Sequence, residues 1–517
     1  MKFLQVESYK KGIVLSTVFN FFNKGLVFVN SLVVTYYFGI KAQTDIFFYL
    51  YNSIVLLGGF IMNFNSSVII PESMKIRITE GNNKAMRFLN TFIYGYFLVF
   101  ILIVGLIAIN PAFFFSAISN FQKNQLETNI SLLYLSLPLF LMISIIGLFT
   151  DILASYKFFT ISMIVGIING LSSIFFVFLF HRLLDIKSIF YGLLFSYSLN
   201  IVLLLILMRR YLHWNFVFRI VSIPKRVWNN IGFAQLGNIT SVLSSYTPMY
   251  ILSGFSTGII TALTFAQQIS ALPTSLITNQ FSSVAGIKFN ELYAKGLKTE
   301  IDKIFSDIAD LLLFLMVPTG FFIYFFSDNI ISVVLSHHSL DAAGAGYASL
   351  FLKYLGLLLP LLVINTLFAR MFMATHKIKE AFWYQVIFNI MLIAGLYVSV
   401  KRFGVIGYPV TMVLVYALNV FFCYFLERLY FGFINYGNIL KRFGFFILIN
   451  ALISVCVYYL VNLSGINQSF TVLVVAFLLY IVLLFVINKI FKINHNLDFQ
   501  WEDVYNKMKL YGIARNE

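Results

Sequence analysis

Long apolar runs that carry a stripe of polar positions dominate this chain, and the clearest lies between Phe38 and Pro71. Its polar and small residues recur with helical period and share an arc of about 100° on a helical wheel. They are Asp45, Tyr49, Asn52, Gly59, Asn63 and Ser66. Bulky apolar residues occupy the rest of the wheel. The pattern predicts a membrane helix with one hydrated face.

Thirteen further runs have the length needed to span a bilayer, about 20 residues. With the first they predict fourteen transmembrane helices and an all-α polytopic membrane protein. The runs lie near 13–38, 45–70, 88–109, 130–150, 158–180, 188–208, 230–251, 257–283, 305–327, 349–369, 380–400, 405–426, 443–463 and 469–490.

Composition agrees with this interpretation and excludes an ordinary soluble protein. The 517 residues are 60% hydrophobic and 11% charged, with a mean hydropathy of +0.88. Soluble domains are about one quarter charged. The composition therefore places most of the chain in lipid.

The net charge of +16 follows the predicted topology. Six of the 36 lysines and arginines fall in loops predicted to lie outside, namely Lys41, Lys123, Arg182, Lys187, Lys401 and Arg402. Nearly all the others flank helices on the opposite side. Because basic residues near helix ends resist translocation, both termini are expected in the cytoplasm. The charge therefore needs no nucleic-acid partner, and none is expected.

A weak internal repeat divides the chain near residue 220. Leu137-Pro138-Leu139 recurs as Leu359-Pro360-Leu361, Asn169 recurs as Asn389, and other matches keep offsets between 216 and 222. An even number of repeated helices preserves orientation, so the repeat predicts two six-helix lobes related by a pseudo-two-fold axis along the membrane normal. Such paired lobes enclose a midline cavity that alternates between the two sides.

The predicted boundaries follow the repeat. They are an N-lobe at 1–212, a cytoplasmic linker at 213–228, a C-lobe at 229–432, two further helices at 433–490 and a cytoplasmic tail at 491–517.

The first, second, seventh and eighth predicted helices carry the polar faces and are expected to line the cavity. In the first, polar residues including Asn20, Asn23, Lys24 and Asn30 share an arc of about 120°. An ammonium inside the bilayer costs a few kcal/mol unless it meets water, an anion or an acid such as Asp45. Lys24 is therefore a candidate for binding an anionic substrate.

Asp45 opens the second helix and has three interpretations from sequence. It gates the outer mouth of the cavity, binds a coupling cation, or caps its own helix after Thr44. Asn52 on the same helix, with Gln267 and Gln268 on the eighth, completes the candidate substrate-binding set.

Several short motifs resemble the MurJ-type lipid II flippases of the multidrug, oligosaccharidyl-lipid and polysaccharide exporter group. They are Phe38-Gly39, Thr44-Asp45-Ile46-Phe47-Phe48, Pro71 and Ala271-Leu272-Pro273, together with the C-terminal helix pair. The resemblance implies two lobes around a central cavity and a groove for a polyprenyl tail. It also matches Lys24 to a basic cavity residue and Asp45 to an acid at the start of the second helix.

The chain departs from the family pattern where the family carries further charges. Asn30 stands at the position of a second arginine of the first helix, Gly58 and Gly59 fall near a basic pair, and Gln267-Gln268 replaces an Asp-Arg pair. A cavity for a diphosphate usually benefits from several cations.

The resulting hypothesis is a flippase, not an enzyme, that moves an undecaprenyl-pyrophosphate-linked sugar to the outer leaflet of the bacterial inner membrane. The sugar carrier is lipid II or a related polysaccharide or O-antigen precursor. No Gly-rich phosphate loop or metal-ligand spacing occurs, so no cofactor is expected beyond a coupling Na⁺ or H⁺. Partners are the lipid-linked sugar, the bilayer and, as candidates, envelope-synthesis enzymes.

Two alternatives stay open at this stage. An ion-coupled exporter of drugs or small molecules would share the repeat but would not need the last two helices. A non-transporting envelope scaffold would tolerate charges placed across the polar faces.

Overall fold

The computed structural model describes residues 9–39, 41–158, 160–218, 223, 225–335, 342–466 and 468–491. Within these ranges the chain forms helices and turns and contains no β-strand. The predicted tail from residue 492 onward lies outside the described residues, as does part of the predicted linker.

Eighteen α-helices are present in this described part. They are α1 (Tyr9–Phe38), α2 (Ala42–Phe64), α3 (Ile70–Glu80), α4 (Asn82–Ile109), α5 (Pro111–Ile118), α6 (Lys123–Thr128), α7 (Ile130–Ser155), α8 (Thr160–Leu184), α9 (Lys187–Leu212), α10 (Lys225–Leu252), α11 (Ile259–Pro273), α12 (Asn279–Ala294), α13 (Lys298–Leu335), α14 (Ala342–Ala374), α15 (Ile378–Phe403), α16 (Gly407–Leu426), α17 (Tyr436–Leu463) and α18 (Ser469–Phe491).

Each predicted apolar run coincides with one long helix. Short π-helical segments at Asn65–Ile69 and Thr274–Thr278 join α2 to α3 and α11 to α12 without a break. Within the described ranges, ten helices or joined helices are long and apolar enough to cross a membrane. The all-α polytopic fold is therefore confirmed, while the count of fourteen crossings stays a prediction.

Backbone geometry shows the repeat independently of side-chain identity. Eleven described residues have a positive φ, the left-handed conformation that commonly ends a helix. Ten of them form five pairs, four separated by 219 residues and one by 215. The pairs are Gly39 and Gly258, Gly81 and Gly296, Lys157 and His376, Asp185 and Gly404, and His213 and Gly432. The same turns therefore end the same helices in both halves.

The described chain divides into two compact units. One comprises Met1–Ile269, His337–Ala348 and Phe382–Thr411, and the other comprises Ser270–Ser336, Ser349–Ala381 and Met412–Glu517. Each unit draws on both halves of the sequence. The lobe boundaries predicted along the chain stay a prediction.

In the first unit, α8 packs between α1 and α9. Gly170 allows close approach, since a Cβ there would lie 3.0 Å from the Leu26 Cβ of α1. On the other face, Ser196 Oγ and Asn200 Nδ2 of α9 donate hydrogen bonds to Asn169 Oδ1 at 2.9 and 2.8 Å. Small residues and interhelical hydrogen bonds are the usual means of helix association in membranes.

In the second unit, α17 and α18 pack against α13. A buried cluster joins these helices and includes Phe326, Val457 and Ala476. The Tyr480 hydroxyl of α18 donates to Asn450 Oδ1 of α17 at 3.0 Å. These contacts attach the C-terminal pair, which lies outside the repeat, to the rest of this unit.

Candidate transport site and gate

The first turn of α2 is closed by Thr44. Its hydroxyl donates to the Lys41 carbonyl at 2.7 Å and accepts from the Lys41 N–H at 2.8 Å. Asp45 therefore does not cap its own helix, in contrast to one of its three predicted roles. Its carboxylate points to a different helix.

Asp45 caps α11, the repeat counterpart of α2. The Thr261 N–H and hydroxyl donate to Asp45 Oδ1 at 2.8 and 2.6 Å, and the Gly258 N–H donates to Oδ2. The side chain is buried. Because the first N–H groups of a helix lack internal partners, an anion here satisfies them and complements the helix dipole. The contact joins α2 to α11.

Further polar contacts continue this connection along α2. Asn52 Nδ2 donates to Thr264 Oγ1 of α11 at 3.1 Å. The Tyr49 hydroxyl meets the hydroxyl of Tyr246 on α10. Together with the Asp45 contacts they form a set that we call the α2 gate: Asp45, Tyr49 and Asn52 on α2, Tyr246 on α10, and Gly258, Thr261 and Thr264 at or in α11. These contacts hold the beginning of α2 against the beginning of α11 and the last turns of α10.

The two helices that Asp45 connects are equivalent in the repeat. Asp45 and Thr261 are 216 residues apart, within the range of offsets found in the sequence, and the turn glycines Gly39 and Gly258, which precede α2 and α11, are 219 apart. The contact therefore joins corresponding helices of the two halves.

A small cleft reaches Asp45 from the side. It is lined by Ala42, Asp45, Phe121, Gln125, Leu252, Ser253, Phe255, Ser256, Thr257 and Ile260. The space inside it that can hold the centre of a water molecule is about 10 Å³, enough for about one water. The cleft is therefore an approach to the gate and too small for a lipid-linked sugar.

The predicted polar face of α1 divides between a helix interface and an exposed surface. Asn23 lies against α8, where its Nδ2 donates to the Met163 carbonyl at 3.3 Å. Lys24 is exposed and forms no ion pair within the described part of the chain, so it does not pair with Asp45. Asn30 is half-buried, and its Oδ1 has no partner among the described residues. The side chain of Asn20 lies outside the described part.

The glutamines predicted to bind substrate differ in their surroundings. Gln267 Nε2 donates to the Tyr408 hydroxyl at 3.1 Å. Gln268 is half-buried, and its Oε1 has no hydrogen-bond partner in the described part. The structure thus brings Asp45 and Asn52 together in the α2 gate, whereas Gln267 contacts Tyr408 instead.

The adjacent glycines Gly58 and Gly59 of α2 have opposite environments. A Cβ at Gly58 would lie 2.7 Å from Ile143 Cδ1, so this glycine allows α7 to pack closely on α2. A Cβ at Gly59 would meet no atom within 4 Å. A side chain at Gly58 would therefore require Ile143 to move, whereas a side chain at Gly59 has room.

The partners of Asp45, Tyr49 and Asn52 in the gate could not be identified from the sequence. Tyr246, Thr261 and Thr264 look like ordinary helix residues, because hydroxyls are common at helix contacts in membranes. The repeat offset was the available signal for Thr261, since adding 216 to Asp45 reaches it. No comparable relation links Tyr49 to Tyr246.

Comparison with known proteins decides the family. A model of the family described as "Lipid II flippase MurJ" matches residues 34–491, which is most of the chain. The chain belongs to the MurJ family of lipid II flippases. Among curated relatives, a probable lipid II flippase MurJ of Borreliella burgdorferi is 22% identical over 442 residues, covering 81% of this chain and 84% of that protein. One of Buchnera aphidicola is 23% identical over 350 residues, covering 63% and 66%.

Solved structures establish the fold of this MurJ family member. A lipid II flippase MurJ in an inward closed conformation superposes with a TM-score of 0.75 at 18% identity, over 92% of this chain and 99% of that one. An inward-facing MATE multidrug transporter gives 0.64 at 14% identity, over 81% and 96%. Both likenesses concern the fold. The family assignment distinguishes this chain from the drug exporters and from an enzyme.

Proposed function

We propose that this chain moves lipid II from the inner to the outer leaflet of the bacterial cytoplasmic membrane during peptidoglycan synthesis. Family membership over residues 34–491 and the duplicated helical fold support the proposal. The head group passes between the repeats while the polyprenyl tail stays in lipid. Alternating access is the transport mode common to folds built from paired repeats.

The α2 gate is the observation that carries the mechanism. A transporter of this kind must close one end while the other is open, and here α2 is held to α10 and α11 at the end where α2 and α11 begin. Each contact joins polar groups that can bond to water when separated, so opening costs about 1 kcal/mol for each neutral contact and about 1.5–3 kcal/mol for each hydrogen bond to Asp45. The gate is therefore both closed and reversible.

The gated end faces the outside in this proposal. The distribution of lysine and arginine places both termini in the cytoplasm, and α1 then crosses outward before α2 begins. With this orientation the gate closes the outer end, and substrate reaches the space between the repeats from the cytoplasmic leaflet.

Asp45 acts in this mechanism as a gate residue. Its oxygens accept hydrogen bonds from three donors, and donors that point at a carboxylate repel a cation. A coupling Na⁺ or H⁺ would have to displace or replace them as the gate opens. The closed state therefore favours the gating role over the cation-binding role predicted beside it.

Lys24 is the residue proposed to meet the diphosphate of the substrate. It is exposed and without an ion pair in the described part, so its ammonium is available to an anion. Asn30 Oδ1 and Gln268 Oε1 have no hydrogen-bond partners in that part, and they could accept bonds from sugar hydroxyls. Membrane-embedded charge of this kind commonly marks a substrate path.

Depletion of the protein in its own cells tests the substrate. Lipid II is expected to accumulate in the cytoplasmic leaflet, measured by extraction and by protection from an impermeant reagent added outside. Re-expression of the wild-type chain should reverse this. Accumulation of a different lipid-linked sugar, with normal lipid II, would contradict the proposal and indicate another polysaccharide precursor.

A further inference from the structure

The short connection between α4 and α7 contacts both α2 and α10, the two helices that carry the tyrosines of the gate. Its two helices, α5 and α6, are joined by a turn, and the segment Ile118–Phe121 reaches both α2 and α10. The Ile118 carbonyl oxygen lies within hydrogen-bond distance of the Tyr49 hydroxyl, at 2.6 Å, and of the Tyr246 hydroxyl, at 2.7 Å, and the two hydroxyls share their two hydrogens among this oxygen and each other. One backbone oxygen thus joins the two tyrosines of the gate.

The next residues of this segment hold the end of α10. The Asn120 N–H donates to Ser253 Oγ at 2.8 Å, and Asn120 Nδ2 donates to the Tyr250 carbonyl at 3.0 Å. Gly254 completes the fit, since a Cβ there would lie 2.9 Å from the Asn120 Cβ. Three positions at or just after the end of α10, Tyr250, Ser253 and Gly254, therefore contact this segment.

The two sides of the segment are attached by different forces. Towards the first repeat, Ala112, Phe115 and Leu126 are buried, and the ring of Phe121 packs edge-on against that of Tyr49 at 5.3 Å. Towards α10 the contacts are hydrogen bonds, and Asn120 itself is exposed. Apolar burial is costly to undo, whereas exposed hydrogen bonds exchange with water at small cost.

We infer that Ile118–Phe121 is a latch on the α2 gate: it stays with α2 and releases Tyr246 and Tyr250 of α10, and Ser253 just after α10, when the outer end opens. The inference rests on the proposed alternating access. Asn120 and the Ile118 carbonyl are positioning groups, because they act on the gate and touch no substrate. The cleft beside Phe121 gives water access to the hydrogen bonds that must exchange.

A cysteine reporter behind the gate tests the latch without using lipid II. Cys423 and Cys456 are replaced by serine, and Gly59→Cys places a thiol where a Cβ meets no atom within 4 Å. An impermeant maleimide is added from the side at which α2 begins. Asn120→Ala and Tyr246→Phe should each raise the labelling rate about fivefold, the effect of losing one or two net hydrogen bonds.

Two matched control substitutions distinguish loss of the latch from a general loosening of the helix packing. Asn124→Ala changes an exposed asparagine of the same connection, and Tyr134→Phe removes a hydroxyl that contacts only the Ala108 carbonyl of α4 within the described part. Both should label like the parent. Equal labelling rates for Asn120→Ala, Tyr246→Phe and the controls would overturn the latch.

A disulfide between this segment and the end of α10 should prevent release of the latch, the opposite of the substitutions above. The Gly59→Cys substitution is left out of this variant. Asn120→Cys with Gly254→Cys places two Cβ atoms near the 3.5–4.5 Å that a disulfide needs, after a small shift. Oxidation should abolish lipid II transport by the double variant, and reduction should restore the level of its own reduced form, while oxidation leaves each single-cysteine variant at the level of its own reduced form. Normal transport by the fully cross-linked protein would contradict the latch.

The proposed function and the latch can be contradicted independently. If the wild-type chain does not move lipid II, the proposed function is wrong, and the maleimide assay still decides the latch. If transport occurs but the labelling rates do not respond to Asn120→Ala and Tyr246→Phe, the latch alone is wrong.

Discussion

At the scale of single residues, the structure assigns Asp45 a partner that composition and periodicity could not identify. The sequence placed an acid at the start of an amphipathic helix and left gate, cation site and helix cap open. Asp45 does cap a helix, but that helix is α11, while Thr44 caps α2. Local sequence cannot show a cap between helices that are 216 residues apart.

Asp45→Asn tests the residue-scale account of the gate. An amide nitrogen would face an N–H donor of Gly258 or Thr261, and an unsatisfied buried pair costs about 1–3 kcal/mol. Transport should fall and the outer end should open more often, measured by the labelling rate of Gly59→Cys. Asp185→Asn is the matched control, since Asp185 is exposed and asparagine tolerates its positive φ of 48°. Unchanged labelling in Asp45→Asn would contradict the gate.

Lys24→Ala tests the proposed contact with the diphosphate. A charge-assisted hydrogen bond contributes about 1.5–3 kcal/mol, so transport should fall roughly 10- to 100-fold. Lys24→Arg, which keeps the charge, should retain most of it. Lipid II transport is measured at equal amounts of inserted protein. Full transport by Lys24→Ala would remove this residue from the substrate path.

At the scale of helices, the sequence predicted the elements well and their contacts poorly. Each apolar run became one long helix, because no water is available in lipid to satisfy an unpaired backbone. The π-helical segments Asn65–Ile69 and Thr274–Thr278 were not predicted. Their residues continue the helical pattern of apolar and polar positions. A π-helical turn has about one residue more than an α-helical turn, and the amino-acid composition does not reveal that difference.

The glycine pair of α2 gives an element-scale prediction. Gly58→Leu should destabilise the protein by about 1–3 kcal/mol, because its side chain enters the space occupied by Ile143 of α7. Gly59→Leu should be neutral or slightly stabilising, since a Cβ there meets no atom within 4 Å and leucine is a better helix former. Thermal unfolding in detergent measures both. Equal destabilisation by the two substitutions would contradict the packing described here.

At the scale of the whole molecule, the duplication is the feature that sequence and structure share most fully. Short sequence matches such as Asn169 and Asn389 gave the repeat offset. The paired residues with positive φ show a similar offset at turns where the residue types differ, as with Asp185 and Gly404. Turn geometry is preserved because helix ends need the same backbone shape, while several residue types can supply it. The substrate could not be obtained this way, since the residues that would bind it differ between the repeats.

The orientation in the membrane is also a prediction for the whole molecule. In a chain without Cys423 and Cys456, cysteines at Asp185 and Lys401 should react with an impermeant maleimide added outside intact cells. Cysteines at Lys84 and Lys379 should react only after the membrane is opened. The reverse labelling pattern would invert the topology and assign the α2 gate to the cytoplasmic side.

The central claim is that this chain carries lipid II between leaflets, and reconstitution tests it most directly. Purified protein is placed in vesicles that contain lipid II, and an impermeant enzyme or reagent reports its appearance in the outer leaflet. The account predicts that lipid II in both leaflets becomes accessible with the wild-type chain and that half stays protected in protein-free vesicles. Protection equal to that of protein-free vesicles, with the protein folded and inserted, would contradict it.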